Sequence, residues 1–313
     1  MAALNTVMHV LNAVFLFFPV KMQVNGAVRG KNIVELVVVA FNNDLLIEKQ
    51  VLLLQRYFCD AYRYVVADNS TDAACRIRLQ QLCRRRNLVY LSVPANPCTA
   101  FHESYSHGLV LNWIYRKYIL EKSEARYFGF IDHDIFPVKS IRGVKQTLDK
   151  HGLLGAVRWN SGCWYLWPGL CFFRKDIVVK KRLDFLPGAH ISGLKQQLFF
   201  DTGGRNWYRL YHTLQLKQAM NIGASRYFIV ADIQGKALKT VLKKKKLTRK
   251  FLMEHDLIEH IGPWTHLYSS SLFYTPIKKK YIDSFITSGG TVARSLVCVP
   301  VNISFVPWQD SII

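Results

Sequence analysis

The chain has 313 residues, half of them hydrophobic, with 42 Lys+Arg against 21 Asp+Glu and a formal net charge of +21. These values exclude a disordered chain and fit one large α/β domain, or a domain with a modest second lobe. The positive surface favours polyanions, acidic membranes or a phosphorylated substrate, and names none of them.

The seven cysteines form no C-x-x-C pair and lie at no zinc-knuckle distance from histidine. Their odd number and scatter predict free thiols in a reducing compartment. Asn69-Ser70-Thr71 and Asn302-Ile303-Ser304 match the glycosylation pattern, but the first falls at an expected ligand site, where a glycan would block binding. The expected location is therefore the cytoplasm, including the cytoplasmic face of a membrane.

Val7–Val20 is mostly apolar, yet His9, Asn12 and Pro19 interrupt it. It falls short of the ~20 apolar residues of a spanning helix. Lys21, Arg29 and Lys31 follow it, the reverse of a secretory signal. A helix or strand packed on the domain is expected, with a monotopic membrane contact as the second choice.

From Ile33 the pattern alternates strand and helix. Ile33–Ala40 reads as a central parallel strand because it is nearly all apolar and β-branched. Asn42-Asn43-Asp44 then offers helix caps, and Ile47, Val51, Leu54 and Phe58 recur on one helical face. A second strand, Tyr64–Ala67, ends in Asp68-Asn69-Ser70-Thr71-Asp72, and a helix runs through Arg84-Arg85-Arg86 to a third strand, Leu88–Val93. Glu103–Lys122 is predicted helical, with Val110, Trp113, Ile114 and Tyr118 on one side. A fourth strand, Tyr127–Ile131, enters Asp132-His133-Asp134. Repeated β-α-β units imply a parallel sheet with helices on both faces. Beyond residue 150 come an aromatic-rich stretch, a basic segment containing Lys243–Lys246, and a tail with His255, His260 and His266 followed by short strands.

Ligands of open α/β sheets bind at the carboxyl ends of the strands. Three such ends are polar here: Phe41-Asn42-Asn43, Asp68-Asn69-Ser70 and Asp132-His133-Asp134. The first two also suit helix capping and turn formation. The third sets two acids between Phe-Gly-Phe-Ile and Ile-Phe-Pro. Ionised carboxylates in apolar surroundings call for a cation, and residues i and i+2 of an extended strand face the same way. Asp132 and Asp134 are thus expected to hold Mn²⁺ or Mg²⁺ together with a substrate diphosphate.

With these motifs, the stretch Val34–Gly204 resembles the GT-A class of glycosyltransferases, and more closely the family-two-like bacterial enzymes. Val37–Asn43 matches the first strand and the loop that receives the nucleoside, and Val65–Asp72 the second strand, whose aspartate meets the base. The resemblance implies nucleotide contacts from Phe41, Asn42, Asn43, Asp68, Asn69 and Asp132. It places the metal at Asp132 and Asp134, and likens Tyr165–Phe173 to the segment behind donor sugar and acceptor. In inverting relatives a downstream acid is the catalytic base, which points to Asp201 before Gly203-Gly204, although the usual Glu-Asp pair is missing. An apolar approach, Leu198-Phe199-Phe200, would raise its pKa toward a working value; a turn-forming Asp is the alternative. His266 resembles the C-terminal histidine that approaches the diphosphate or metal, with His260 competing. Trp164, Trp167 and Trp207 are candidate sugar-stacking faces within an aromatic cluster that is otherwise core.

The expected fold is an α/β GT-A (Rossmann-like) domain with a mostly parallel sheet flanked by helices and a variable C-terminal acceptor region. Residues 1–32 are an extension, 33–235 the glycosyltransferase domain, and 236–313 a basic region completing the site. Expected partners are a nucleotide-sugar donor and a glycan, lipid-linked or protein acceptor, with peripheral contact of Lys243–Lys246 to an anionic membrane; nucleic acid is disfavoured. A sugar nucleotidyltransferase would need a glycine-rich loop after the first strand, and Phe41–Asp44 has no glycine. A non-catalytic RNA- or membrane-binding protein would have no use for a buried acid pair.

Overall fold

A computed structural model describes residues 2–26, 30–99, 102–160, 163–191, 197–213, 219–233, 256–268, 274–288 and 291–301. The chain opens with α1 (Ala2–Phe15), β1 (Lys21–Val24), β2 (Val34–Ala40), α2 (Asp44–Tyr57), β3 (Tyr62–Asp68), α3 (Ala73–Arg85) and β4 (Val89–Ser92). Then come α4 (Glu103–Trp113), β5 (Tyr127–Asp132), β6 (Ile135–Pro137), α5 (Val144–His151), β7 (Leu153–Asn160) and β8 (Cys163–Arg174). The later strands are β9 (Gly188–Ile191), β10 (Gln197–Phe200), β11 (Ala219–Asn221), β12 (Ser225–Asp232), β13 (Leu257–Ile261), β14 (Trp264–Leu267) and β15 (Leu296–Val301).

The main sheet has the order β1-β4-β3-β2-β5-β8-β7-β11. Its central run β4-β3-β2-β5 is parallel throughout. Alternate residues of the strands feed two cores. Val37, Val39, Val65 and Phe130 pack under α1 and α4, while Val38, Val66, Tyr64 and Ile131 pack under α2, α3 and α5. Burial on both faces explains why β2 is apolar almost without interruption.

A second sheet, β15-β12-β13-β14-β6, is antiparallel throughout. It encloses a third core with the helix Pro276–Thr287, to which α2 contributes Leu46 and Leu53. The sequence pattern predicts one buried face on α2. The structure buries a second, because this helix is wedged between two sheets. The helix Pro276–Thr287 was not anticipated either, although Thr275 caps it and Pro276 occupies its first turn.

The helix expected over Glu103–Lys122 changes character halfway. After Trp113 it continues as a π-helix over Ile114–Leu120, turning Tyr118 onto Glu35 of β2. All seven cysteines are unpaired. No described helix is long and apolar enough to cross a membrane.

Candidate active site

From β2 the chain moves outward through β3 and β4, then returns to place β5 on the other side of β2. Strand order reverses there, at the carboxyl ends of β2 and β5, the point where open α/β sheets bind their ligands. The register sets Val39 beside Asp132 and Ala40 beside Asp68, so the three polar strand ends share one edge.

The β2 and β3 ends are laced together. Asn42 has φ +48, tolerable for asparagine, and its Oδ1 accepts from the Thr71 and Asp72 amides at 2.9 Å each. Asn43 caps α2 by accepting from the Leu46 amide at 3.1 Å. Asp68 is buried, its Oδ1 accepting from the Ser70 amide at 2.9 Å and Oδ2 from the Tyr90 hydroxyl at 2.6 Å. Asn69 is buried as well, accepting from the Asn96 amide group at 3.4 Å. Phe41 is half-buried at the same edge.

Asp132 closes a strand of the main sheet and Ile135 opens one of the second, so Asp132-His133-Asp134 joins the two sheets. Gln50 of α2 pins this junction by donating to the carbonyls of both Asp132 and Ile135. On the far side β14 pairs with β6, setting His266 opposite Ile135, and the Leu267 amide donates to the Asp134 carbonyl at 2.9 Å. This register brings His266 Nε2 to 3.6 Å from Asp134 Oδ1.

The other ring nitrogen of His266 is held from behind. Glu259 lies opposite His266 in the β13–β14 register, and its Oε2 is 3.0 Å from Nδ1. Arg158 binds Glu259 with both guanidinium nitrogens, at 2.7 and 2.9 Å, and the Tyr227 hydroxyl donates to Glu259 at 2.9 Å. A carboxylate behind a histidine fixes its tautomer and ring plane, as behind metal-ligating histidines. Burial opposes a charged His266 ring, but Asp134 and Glu259 outweigh it and raise its pKa. Burial alone would raise the Glu259 carboxyl; His266 and Arg158 reverse this and hold it well below the usual range. His260, one residue beyond Glu259, faces the other way, 2.8 Å from the Tyr281 hydroxyl.

Asp132 is partly exposed, with His107 Nε2 of α4 3.5 Å from its Oδ1. Removal from water raises its carboxyl above the ordinary aspartate value, His107 pulls it down, and Asp134 raises it further. His133 Nδ1 lies 3.2 Å from the Val39 carbonyl, while its Nε2 is buried with no partner among the described residues. Gly169 comes so close that an added Cβ would stand 2.6 Å from an Asp132 oxygen and 2.4 Å from the Trp167 ring.

Trp167 lies between the Arg158 guanidinium, 4.7 Å from its centroid, and the His266 ring at 5.0 Å. Trp164 instead is core, 4.8 Å from the Tyr211 ring, and Trp207 packs against the same core, half-buried. Asp201 begins a tight turn in which its carbonyl accepts from the Gly204 amide at 2.9 Å. Its Oδ1 accepts from the Thr202 amide at 2.7 Å, and Oδ2 accepts no hydrogen bond from the described residues. The turn rests on Pro168, where a Cβ on Gly203 would stand 2.6 Å from the proline ring. The Gly203 turn therefore abuts the part of β8 that also carries Trp167 and Gly169.

Two carboxylates and an oriented imidazole at one junction suit a hard divalent cation. Among the described residues no three metal-binding side chains are already gathered as a cage. Lys243–Lys246 lie outside the described residues. Nothing local in the sequence marks His107, Gln50, Arg158 or Glu259, since each reaches the site from an element other than the strand end that carries the acid pair.

The chain matches no protein-family model and no curated protein. Over part of its length it is similar to solved glycosyltransferase structures. One is the mannosyltransferase PcManGT from Pyrobaculum calidifontis in complex with GDP-Man and Mn²⁺, at 11% identity and TM-score 0.32 over 57% of this chain and 56% of that one. Another is the galactosyltransferase LgtC in complex with donor and acceptor sugar analogues, at 15% identity and TM-score 0.33 over 45% of this chain and 57% of that one. The apo bifunctional glycosyltransferase WbbM matches at 14% identity and TM-score 0.32, over 56% of this chain and 37% of that one. The chain thus spans little more than half the length of the first two and less of the third.

Proposed function

We propose that the protein is a glycosyltransferase that moves a sugar from a nucleoside diphosphate sugar to an acceptor hydroxyl, with inversion and with a divalent cation. The observation that carries this reading is the acid pair Asp132/Asp134 at the sheet's switch point, joined by a histidine that Glu259 orients. The base and ribose lie over the laced β2 and β3 ends, against Phe41, Asn42, Asn43, Asp68 and Asn69. Because both Asp68 oxygens already accept internal hydrogen bonds, Asp68 acts mainly by shaping the loop.

Asp132, Asp134 and His266 hold the cation and the diphosphate. A divalent ion bound there supplies charge stabilisation for the departing diphosphate. Trp167 offers its ring to the donor sugar beside the Gly169 gap, with Trp164 and Trp207 shaping the wall behind. Asp201 takes the acceptor proton on Oδ2 while Thr202 holds Oδ1, so its second oxygen has a fixed direction. Residues 33–235 carry this chemistry, the region 236–313 completes the site through His266 and Glu259, and 1–32 pack against it.

A panel of nucleotide sugars tests the reading, scored for Mn²⁺-dependent hydrolysis and for thermal stabilisation. One donor should stand out in both. Thermal stabilisation by no nucleotide, with or without Mn²⁺, would overturn it.

A further inference from the structure

α1 is fixed to the domain by one face only. Met8 and Phe15 are buried in the core, Asn12 Oδ1 accepts from the Asn112 side chain at 2.9 Å, and the Trp113 indole donates to the Phe18 carbonyl at 3.0 Å just beyond the helix. On the outward face Val7, Val10, Val14 and Phe17 follow at intervals of three, four and three residues, one stripe of a helix continued by a final turn. Each is at least half exposed and Phe17 is 86% exposed. A helix at a water interface carries polar side chains there. Within its span α1 has no Asp, Glu, Lys or Arg.

Exposed basic residues lie in nearby segments. The Asn112 amide that binds Asn12 also donates to Asp184 Oδ1 at 2.9 Å, so Asp184 lies close to α1 at Asn12. Lys180, Lys181 and Arg182, shortly before Asp184 in sequence, are exposed, and Lys21, three residues beyond Phe18, is exposed too. Asp184, the acid nearest them in sequence, is buried and paired with Arg205 and Arg209.

We infer that the outward stripe of α1, with these basic residues, docks the protein on an anionic lipid surface. An apolar stripe flanked by lysine and arginine is the form of an interfacial helix: the apolar side chains enter the acyl boundary while the cations meet the headgroups. The 14-residue α1 is about 21 Å long, shorter than the ~30 Å hydrocarbon core, so it lies along the surface. A second copy is the poorer occupant. A two-fold pairing of stripe on stripe would bring these basic residues toward their own image in a chain of net charge +21. This inference does not depend on the glycosyltransferase reading.

The test is flotation of the full chain with vesicles of phosphatidylcholine alone and of phosphatidylcholine mixed with phosphatidylglycerol. Binding should require the anionic lipid and weaken with salt. The double variant Val10→Asp/Val14→Asp should bind at least about tenfold more weakly, and each of Lys180→Gln and Lys181→Gln about fivefold. Should the double aspartate variant fail to keep the parent circular dichroism, Phe17→Trp decides: its added fluorescence should be quenched by brominated lipid. The inference falls if the parent ignores anionic vesicles, or if folded Val10→Asp/Val14→Asp floats like the parent. It falls equally if only Lys243–Lys246→Gln reduces flotation, or if the stripe variants break up a dimer and leave vesicle binding unchanged.

Discussion

Glu35 and Asp134 are both buried carboxylates, placed at opposite ends of the same parallel sheet. Glu35, near the start of β2, accepts from Arg63 Nε at 2.7 Å, from the Tyr118 hydroxyl at 2.5 Å and from Ser123. Its charge is balanced and its lone pairs are filled. Asp134, past the end of β5, has a second carboxylate two residues away and a histidine at 3.6 Å, beyond hydrogen-bond length. Neither of its oxygens accepts a hydrogen bond from the described residues. The first acid is closed off by three donors; the second meets the His266 ring at ion-pair distance and the charge of buried Lys278.

The difference between the two acids can be tested by substitution. The largest effect is expected at the carboxyl end, where Asp201→Asn should slow sugar transfer by about 10²–10⁴-fold while donor affinity and Tm stay near those of the parent. Transfer near the parent rate would reduce Asp201 to a turn residue. At the other end Glu35→Leu should do the reverse. Stranding Arg63 should cost about 3–5 kcal/mol in denaturant unfolding, with no specific loss of nucleotide binding in the folded fraction. A loss below about 1 kcal/mol would dissolve the contrast.

Asp134→Asn should remove Mn²⁺-dependent nucleoside diphosphate binding, and Glu259→Gln, acting through the orientation of His266, should weaken it by about 10–100-fold. Equal binding in the parent and Glu259→Gln would leave Glu259 a purely structural partner of Arg158.

The smallest effect is one of pH. The folded pKa of Asp132 lies above its unfolded value, so ionisation disfavours the folded state. Stability from this group is present below the ordinary aspartate value and is lost as pH rises through the folded value. Without cation, Asp132→Asn should therefore melt slightly above the parent at neutral pH, with the advantage vanishing in acid. A variant that melts below the parent at neutral pH would show Asp132 to be structurally paired.

Much of the main sheet was legible in the sequence. Apolar β-branched runs ended by Asn, Asp and Ser define β2 to β5, since a strand buried on both faces can carry little else. The same pattern located Asp132 and Asp134, because two acids at the end of such a run stand out locally. Trp164 and Trp167 could not be told apart, since residues three apart in the same aromatic stretch differ only in what covers them. Tyr211 buries the one, while Arg158 and His266 flank the other.

Local sequence by itself therefore determined β2 to β5, their order of appearance and the acid pair, all of which depend on neighbours within a few residues. Tertiary structure alone decided which histidine meets that pair. His260 and His266 belong to adjacent antiparallel strands, and the β14–β6 and β13–β14 registers send His266 toward Asp134 and Glu259 while His260 faces Tyr281. A register is fixed by pairing between distant segments, and a one-residue slip would reverse every side chain on the strand.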